Sequence, residues 1–387
     1  MKVVVKIGTS SLTKVDGSIK REAIAKLCDE VAEVRKEYSH IILVSSGAIG
    51  VGLPMLGYTS GRPEDSRILQ AASAVGQPKL MAIYGEELAR HNLGCGQLLL
   101  APDDFFVRSR YLHARSTLES LLEAGIIPIV NENDAVADDA IRWGDNDRIA
   151  ALLAHLVKAE KLIILTDTEG IFSADPHLDE SATLIPEIDS TAELAAEVGK
   201  SGGKQGSGGM SSKLTAARMA AWSGVTTTIA SAASDKVLIN ALNESPETGT
   251  IVRPNQQKLS AKKLWIAFAL EPNGTLQIDH GAEEALLNNG GSLLAVGVKS
   301  ISGEWESGEA VSIINTMGKH IARGLCSVSS IDLAPLLGLS TKDHPEGSPE
   351  EVIHRDDLVL LAHTLTDYLR GSLARRSSSL AGSEPFK

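Results

Sequence analysis

The chain has 387 residues, of which 43% are hydrophobic, and a formal net charge of −12 at pH 7. This length suits about two domains with sizeable cores, and the acidic balance argues against a protein whose main task is to grip nucleic acid. Three widely spaced cysteines form neither a metal nor a redox spacing, and their odd number argues against a disulfide framework. The sequence shows no signal peptide or membrane span, so a cytoplasmic protein is expected.

The N-terminal segment MKVVVKIGTSSL predicts a buried strand at residues 3–7 that ends in a tight polar turn at Gly8. Lys6 is the anomaly in this strand, because a buried ammonium group is costly unless it meets a negative partner. The alternative is a lysine at the edge of the sheet whose side chain reaches solvent. We favour a functional lysine.

Strands and helices alternate along the next part of the chain. The periodicity of apolar residues predicts helices at residues 21–36, 78–91 and 111–124. Strands are predicted at 41–44, 97–100, 162–165 and 225–230. This alternation indicates a three-layer α/β/α sandwich with a mostly parallel central sheet. The strand at 41–44 runs directly into Ser45, Ser46 and Gly47, which suits either an anion cradle or plain tight packing between strand and helix.

The stretch IIPIVNENDAVADDAIRWGDNDR, residues 126–148, begins as a buried strand and then becomes sharply polar. Ligands of open α/β sheets bind at the carboxyl ends of the strands, so these side chains suggest a site for a small polar ligand. The alternative is an Asx-rich loop followed by a helix N-cap. The two polar clusters consist of Asn131, Glu132, Asn133 and Asp134, and of Gly144, Asp145, Asn146 and Asp147.

The segment KSGGKQGSGGMSSK places five glycines just before a predicted helix whose first turn carries Ser211, Ser212 and Lys213. Lys213 opposes the helix dipole there, which makes sense if an anion such as a phosphate lies nearby. A flexible Gly/Ser linker is the alternative, but a further strand of the same domain still follows. The glycine spacing matches neither a Walker A motif nor GxGxxG.

The periodicity stops near residues 253–263, where we place a domain boundary. The expected division is an α/β domain at 1–254, a small β-rich domain at 262–345, and a C-terminal helix and tail at 346–387. WIAFAL and TLQID, joined by a Pro-Asn-Gly turn, predict a β-hairpin. A short helix at 282–288, strands near 309–316 and 320–328, and an amphipathic helix from HRDD onward complete the prediction.

Two lysines beside polar clusters suit phosphoryl transfer, in which the protein positions the reactants and neutralises charge on the moving phosphate. The clusters contain no histidine. An alcohol acceptor usually needs a general base, whereas a carboxylate acceptor is already ionised at pH 7. The pattern therefore favours a carboxylate acceptor. Magnesium would arrive with ATP, held by phosphate oxygens and water, so no dedicated protein metal site is expected.

The motifs VVVKIGTSSL, VSSGAI, GQPKL, PIVNENDAV, GDND, LTDTEG and GSGGMSSK occur in the same order as in the glutamate 5-kinases of the amino acid kinase superfamily, which the chain resembles over nearly its whole length. The region near residues 265–330 resembles a PUA domain. The resemblance implies the amino acid kinase fold and ATP-dependent phosphorylation of the γ-carboxylate of L-glutamate, the first step of L-proline biosynthesis. It also implies feedback inhibition by L-proline and a homo-oligomer.

The resemblance also implies roles for individual residues. Lys6 and Lys213 would contact the ATP phosphates and the moving phosphoryl group, and Asp147 would hold both lysines in place. The positions that match glutamate-binding residues are Ser46, Asp134 and Asn146. The positions that match ATP-binding residues are Lys6, Gly8, Thr166, Asp167, Ser207, Gly208, Gly209, Met210, Ser211, Ser212 and Lys213.

Three alternatives stay open at this point. The first is another amino acid kinase, acting on N-acetylglutamate, aspartate, carbamate or a nucleoside monophosphate. The second is an RNA-binding protein, as the PUA resemblance suggests. Residues 258–330 carry seven acidic and six basic side chains, which is a poor electrostatic footprint for RNA. The third is a regulatory sensor with an inactive kinase domain, against which the presence of both Lys6 and Lys213 argues.

Overall fold

A computed structural model describes residues 1–361 except 15–17, 39, 60, 102, 137–145, 177, 189–208, 256–257, 269, 271, 341, 343 and 346–348. The chain divides into two compact units, Met1–Ala261 and Lys262–Lys387. Within the described ranges, no helix is both long enough and apolar enough to cross a membrane.

The first unit is built on an eight-stranded sheet with the spatial order β3-β4-β2-β1-β5-β7-β8-β6. Every neighbouring pair is parallel except β7 and β8, so the predicted mostly parallel sheet is confirmed. The strands are β1 (Lys2–Ile7), β2 (His40–Ser45), β3 (Cys95–Leu100), β4 (Ile127–Glu132), β5 (Lys161–Thr166), β6 (Glu187–Ile188), β7 (Thr226–Ser231) and β8 (Thr250–Val252).

Helices cover both faces of this sheet, which confirms the predicted three layers. The helices are α1 (Thr9–Leu12), α2 (Arg21–Val34), α3 (Ala48–Met55), α4 (Ser66–Ala89), α5 (Asp103–Phe106), α6 (Arg108–Glu123), α7 (Asn146–Val157), α8 (Met210–Ala221) and α9 (Val237–Leu242). Helix α2 packs against α4 and α9 in one layer, and α7 packs against α6 and α8 in the other.

The alternation of side chains along β1 places Lys6 in the layer of α7 and α8. Val3, Val5 and Ile7 belong to the core that also contains residues of α2, α4 and α9. Successive side chains of a strand point to opposite faces, so Lys6 points to the other face. A strand buried on both faces is expected to be apolar throughout, and the lysine is the exception in β1.

Helix α4 begins at Ser66, twelve residues before the predicted start at residue 78. Its N-cap is Asp65, whose side chain accepts a hydrogen bond from the backbone N–H of Arg67. The prediction missed the first half of the helix because two buried polar residues, Ser73 and Gln77, interrupt its apolar stripe.

The second unit contains a five-stranded sheet with the order β10-β9-β11-β12-β13. The predicted short helix and the two predicted strands near 309–328 are confirmed as α11, β11 and β12. The elements are α10 (Ala261–Phe268), β9 (Gly274–Ile278), α11 (His280–Asn289), β10 (Val298–Gly303), β11 (Ala310–Ile314), β12 (His320–Leu325), α12 (Ser330–Leu333) and β13 (Leu358–Leu360), with 3₁₀ turns at Ala295–Gly297, Ala334–Leu336 and Arg355–Asp357.

Two predictions in this unit are wrong. WIAFAL does not form the first strand of a hairpin, because Trp265 to Phe268 lie in α10, and β9 pairs with β10 and β11 instead. The prediction of a C-terminal helix is wrong at the start of that helix, because Leu358–Leu360 forms β13 and pairs antiparallel with β12. Short apolar runs do not distinguish a strand from a buried helix by periodicity. The rest of that predicted helix and the tail lie outside the described residues.

Glycines allow α3 and α4 to pack in close contact. A Cβ atom built at Gly52 would lie 1.8 Å from the backbone oxygen of Ala72, and one built at Gly76 would lie 1.9 Å from the backbone oxygen of Ala48. Both distances are far shorter than van der Waals contact, so neither position has room for a larger residue. Because α3 starts just after β2, this contact fixes α4 relative to the carboxyl end of that strand.

The substitution Gly76→Ala is expected to lower the free energy of unfolding by about 1–3 kcal/mol, because the added methyl group forces the two helices apart. The matched control is Gly85→Ala in the same helix, where the new Cβ atom would lie 3.9 Å from Sγ of Cys95. That change should be neutral or stabilising by up to about 1 kcal/mol, because alanine favours the helix. Urea unfolding of both variants checks this, and equal effects would contradict the packing argument.

Candidate active site

A buried carboxylate, Asp147, lies between two lysines at the centre of the candidate site. Asp147 is in the first turn of α7 and is 0% exposed. It forms an ion pair with the ammonium group of Lys6 on β1, and its Oδ2 lies 3.3 Å from Nζ of Lys213 on α8. Both lysines are also buried. The expectation that Lys6 needs a negative partner is therefore confirmed.

The electrostatics of this cluster favour an anionic ligand. Burial alone would raise the pKa of Asp147, but the positive charges and hydrogen bonds of Lys6 and Lys213 outweigh it and hold that pKa below its ordinary value. The carboxylate is therefore ionised at neutral pH. Two lysines that share one carboxylate concentrate positive charge at this place, which suits the binding of a phosphate group.

A chain of hydrogen bonds connects the neighbouring residue, Asn146, to the carboxyl ends of β2 and β4. The Nδ2 group of Asn146 donates to Oγ of Ser46 and to Oδ1 of Asn131, both at 2.9 Å. The Oδ1 atom of Asn146 accepts from the backbone N–H of Glu132 at 3.2 Å. The structure thus brings together Ser46 and Asn146, two of the three residues that the resemblance assigned to glutamate.

The third of these residues, Asp134, follows β4 and contacts α4. Its Oδ2 atom accepts a hydrogen bond of 3.1 Å from Oγ of Ser73. Burial raises the pKa of Asp134, although the Ser73 hydrogen bond and the charge of Arg62 both oppose that rise. Asp134 adds an anionic group to the polar residues that follow β4.

The residues expected to bind ATP lie around the ends of β1 and β5 and the start of α8. A Cβ atom at Gly8 would lie 3.4 Å from Nζ of Lys6, so the glycine keeps this side of the lysine open. Thr166 ends β5 and donates a hydrogen bond of 3.0 Å to Oδ1 of Asp167. Gly209 is the N-cap residue of α8. The first turn of this helix consists of Met210, Ser211, Ser212 and Lys213. Ser207 and Gly208 lie outside the described residues.

Sequence reasoning missed two residues that contact the site from α4, namely Ser73 and Gln77. Ser73 binds Asp134, and Oε1 of Gln77 accepts a hydrogen bond of 2.9 Å from Nδ2 of Asn131. The available signal was their spacing, because two polar residues four positions apart lie on one face of a helix. That face would otherwise be apolar.

Comparisons with known proteins identify the family. Residues 1–231 match the amino acid kinase family, and residues 274–343 match the PUA domain. The chain therefore belongs to the amino acid kinase family.

The curated relatives of this chain narrow that assignment. The chain is 41% identical to the glutamate 5-kinase of Trichlorobacter lovleyi, over 94% of this chain and 97% of that protein. It is 43% identical to the glutamate 5-kinase of Prochlorococcus marinus, over 92% of this chain and 98% of that protein. Within the amino acid kinase family the chain thus groups with the glutamate 5-kinases, and the resemblance seen in the motifs is confirmed.

The substitution Asp147→Asn should lower the free energy of unfolding by about 3–5 kcal/mol at pH 7, because it removes the buried anion that Lys6 and Lys213 share. The matched control is Asp65→Asn, which disrupts an exposed ion pair with Arg67 and should have a far smaller effect on stability. Urea unfolding at pH 7 measures both.

The destabilisation caused by Asp147→Asn should decrease as the pH falls. The pKa of Asp147 is lower in the folded chain than in the unfolded chain. Its ionic contribution is therefore complete above the ordinary pKa of an aspartate and is lost as the pH falls through the lowered value. The stability difference between the wild type and Asp147→Asn should shrink in acid, and a difference that grew in acid would contradict the assignment.

Proposed function

We propose that the protein transfers the γ-phosphoryl group of ATP to the γ-carboxylate of L-glutamate and forms L-glutamyl 5-phosphate, the first step of L-proline biosynthesis. The observation that carries this proposal is the Lys6–Asp147–Lys213 cluster beside the polar residues that follow β2 and β4. The similarity to curated glutamate 5-kinases over more than nine-tenths of the chain supports the choice of substrate.

In this proposal the two lysines stabilise the charge of the moving phosphoryl group. Phosphoryl transfer depends mainly on positioning and on neutralising charge. Lys6 binds the phosphates of ATP, and Lys213 stabilises the phosphoryl group during its transfer to the acceptor. Asp147 is a positioning residue, because one of its carboxylate oxygens contacts the ammonium group of Lys6 and the other contacts that of Lys213. No proton needs to leave the acceptor, since a side-chain carboxyl with a pKa of about 4.3 is ionised at neutral pH.

The acceptor amino acid is proposed to lie at Ser46, Asp134 and Asn146. The hydroxyl of Ser46 can donate to a carboxylate of glutamate, and the amide of Asn146 holds this hydroxyl by donating to its oxygen. The carboxylate of Asp134 suits the positively charged amino group of the same molecule. Neutral hydrogen-bond donors together with one carboxyl group would suit an amino acid with a free amino group.

The nucleotide is proposed to lie at Gly8, Thr166, Asp167 and the segment 207–213. Magnesium fits this site only as part of a complex with ATP. No cluster of three or more metal-binding side chains occurs among the described residues, and Asp147 is already engaged by two lysines. The ion would be held by phosphate oxygens and water, and when bound it would neutralise part of the phosphate charge.

Other features of the proposal rest on the family resemblance alone. They are a cytoplasmic location, assembly into a homo-oligomer and feedback inhibition by L-proline. The proposal assigns no nucleic-acid partner to the PUA-like domain, because the near-neutral charge of this domain is unfavourable for phosphate contacts.

ATP turnover with L-glutamate, in the presence of magnesium and hydroxylamine, tests the proposed function directly. Hydroxylamine traps an acyl phosphate, so the expected product is the γ-hydroxamate of glutamate. The signal should depend on glutamate and be absent with N-acetylglutamate and aspartate. A signal with another acceptor only would keep the kinase chemistry and reject glutamate, and tight salt-sensitive RNA binding without any signal would favour the RNA-binding alternative.

A further inference from the structure

Helix α4 presents two buried polar side chains, Ser73 and Gln77, to the proposed acceptor site. They are 5% and 6% exposed and lie four positions apart, on one face of the helix. Burying such groups is costly unless they form hydrogen bonds. Their partners are Asp134, which accepts from Ser73 at 3.1 Å, and Asn131, which donates to Gln77 at 2.9 Å.

A backbone amide sets the direction of the hydrogen bonds that start at Gln77. The N–H of Glu132 can only donate, and it donates to Oδ1 of Asn131 at 2.9 Å. The Nδ2 group of Asn131 therefore faces Gln77, which must present its Oε1 atom as the acceptor. Gln77 thus holds the orientation of the Asn131 amide from the side opposite to the backbone.

The same direction continues to Ser46. The N–H of Glu132 also donates to Oδ1 of Asn146, so Nδ2 of Asn146 donates to Oγ of Ser46 and to Oδ1 of Asn131. A serine hydroxyl carries one proton. Because the Ser46 oxygen accepts from Asn146, its proton is left to be donated to a ligand. The chain of amides therefore ends in a hydrogen-bond donor, which suits a carboxylate.

Close helix packing places these two side chains accurately. The glycine contacts between α3 and α4 involve Ala72 and Gly76, which directly precede Ser73 and Gln77 in the sequence. The partner residue in α3 is Ala48, two residues after Ser46. A shift of α4 would therefore move the supports of Asp134 and Asn131 relative to Ser46.

We propose that Ser73 and Gln77 are positioning residues for the acceptor amino acid, acting through Asp134 and through the Asn131–Asn146–Ser46 chain. The proposal rests on the proposed function and assigns the recognition of the acceptor partly to α4. Neither residue contacts the lysine cluster in the described structure, and so the binding of ATP is independent of them.

The test is steady-state kinetics of the full-length Ser73→Ala variant with the hydroxamate readout. The glutamate KM should rise roughly tenfold, as expected when a partly buried carboxyl group loses one hydrogen bond, whereas the ATP KM and kcat stay within about twofold of wild type. Ser73→Thr retains the hydroxyl and should restore the glutamate KM. Ser312→Ala, which changes an equally buried serine of the second unit, should leave all three constants unchanged.

Gln77→Leu is the second variant and removes the acceptor for Asn131. It should also raise the glutamate KM and leave the ATP KM unchanged. Thermal melting of each variant shows whether it is folded. The proposal is overturned if the glutamate KM of both variants is that of wild type, or if KM for ATP and kcat change in parallel with it. A wild-type protein without a glutamate-dependent signal would instead reject the proposed function and this inference with it.

Discussion

One buried carboxylate holds two lysines that come from distant parts of the chain, and both the fold and the candidate site depend on this contact. Burying an ammonium group is costly, and the ion pairs with Asp147 offset that cost for Lys6 and Lys213 at once. The end of β1 and the first turns of α7 and α8 must therefore converge for the first unit to be stable. The same convergence concentrates positive charge at one point, which is what a phosphate needs.

The order of the strands separates the two halves of the proposed reaction. The acceptor residues Ser46 and Asp134 follow β2 and β4, whereas Gly8 and Thr166 lie at the ends of β1 and β5. Because the sheet order is β4-β2-β1-β5, Ser46 and Asp134 lie on one side of β1, the strand that carries Lys6, and Thr166 lies on the other side. A lysine at this place can contact a group that passes from one side to the other. In the proposed function, this parallel topology would therefore place the two substrates on either side of one basic cluster.

Much of this arrangement could be predicted from the sequence, because several strands end in a polar cluster and Lys6 interrupts an apolar strand. The need of Lys6 for a negative partner followed from the cost of a buried charge. Asp147 was named as that partner only by the family resemblance, because the choice among the nearby carboxylates depends on packing that periodicity does not encode. Ser73 was missed because single polar residues in a helix are common and gain meaning only from what they contact. WIAFAL was misassigned because a short apolar run fits a strand and a buried helix equally well.

The central claim is that the pair of lysines stabilises the moving phosphoryl group, and kinetics of the Lys213→Ala variant test it most directly. The account predicts that kcat falls by about a hundredfold or more, as when a group that acts in the transition state is removed, while the glutamate KM changes little. Lys161→Ala, which removes a lysine paired with Glu244 away from the site, should keep the wild-type kcat. A folded Lys213→Ala protein with near wild-type turnover would contradict the account.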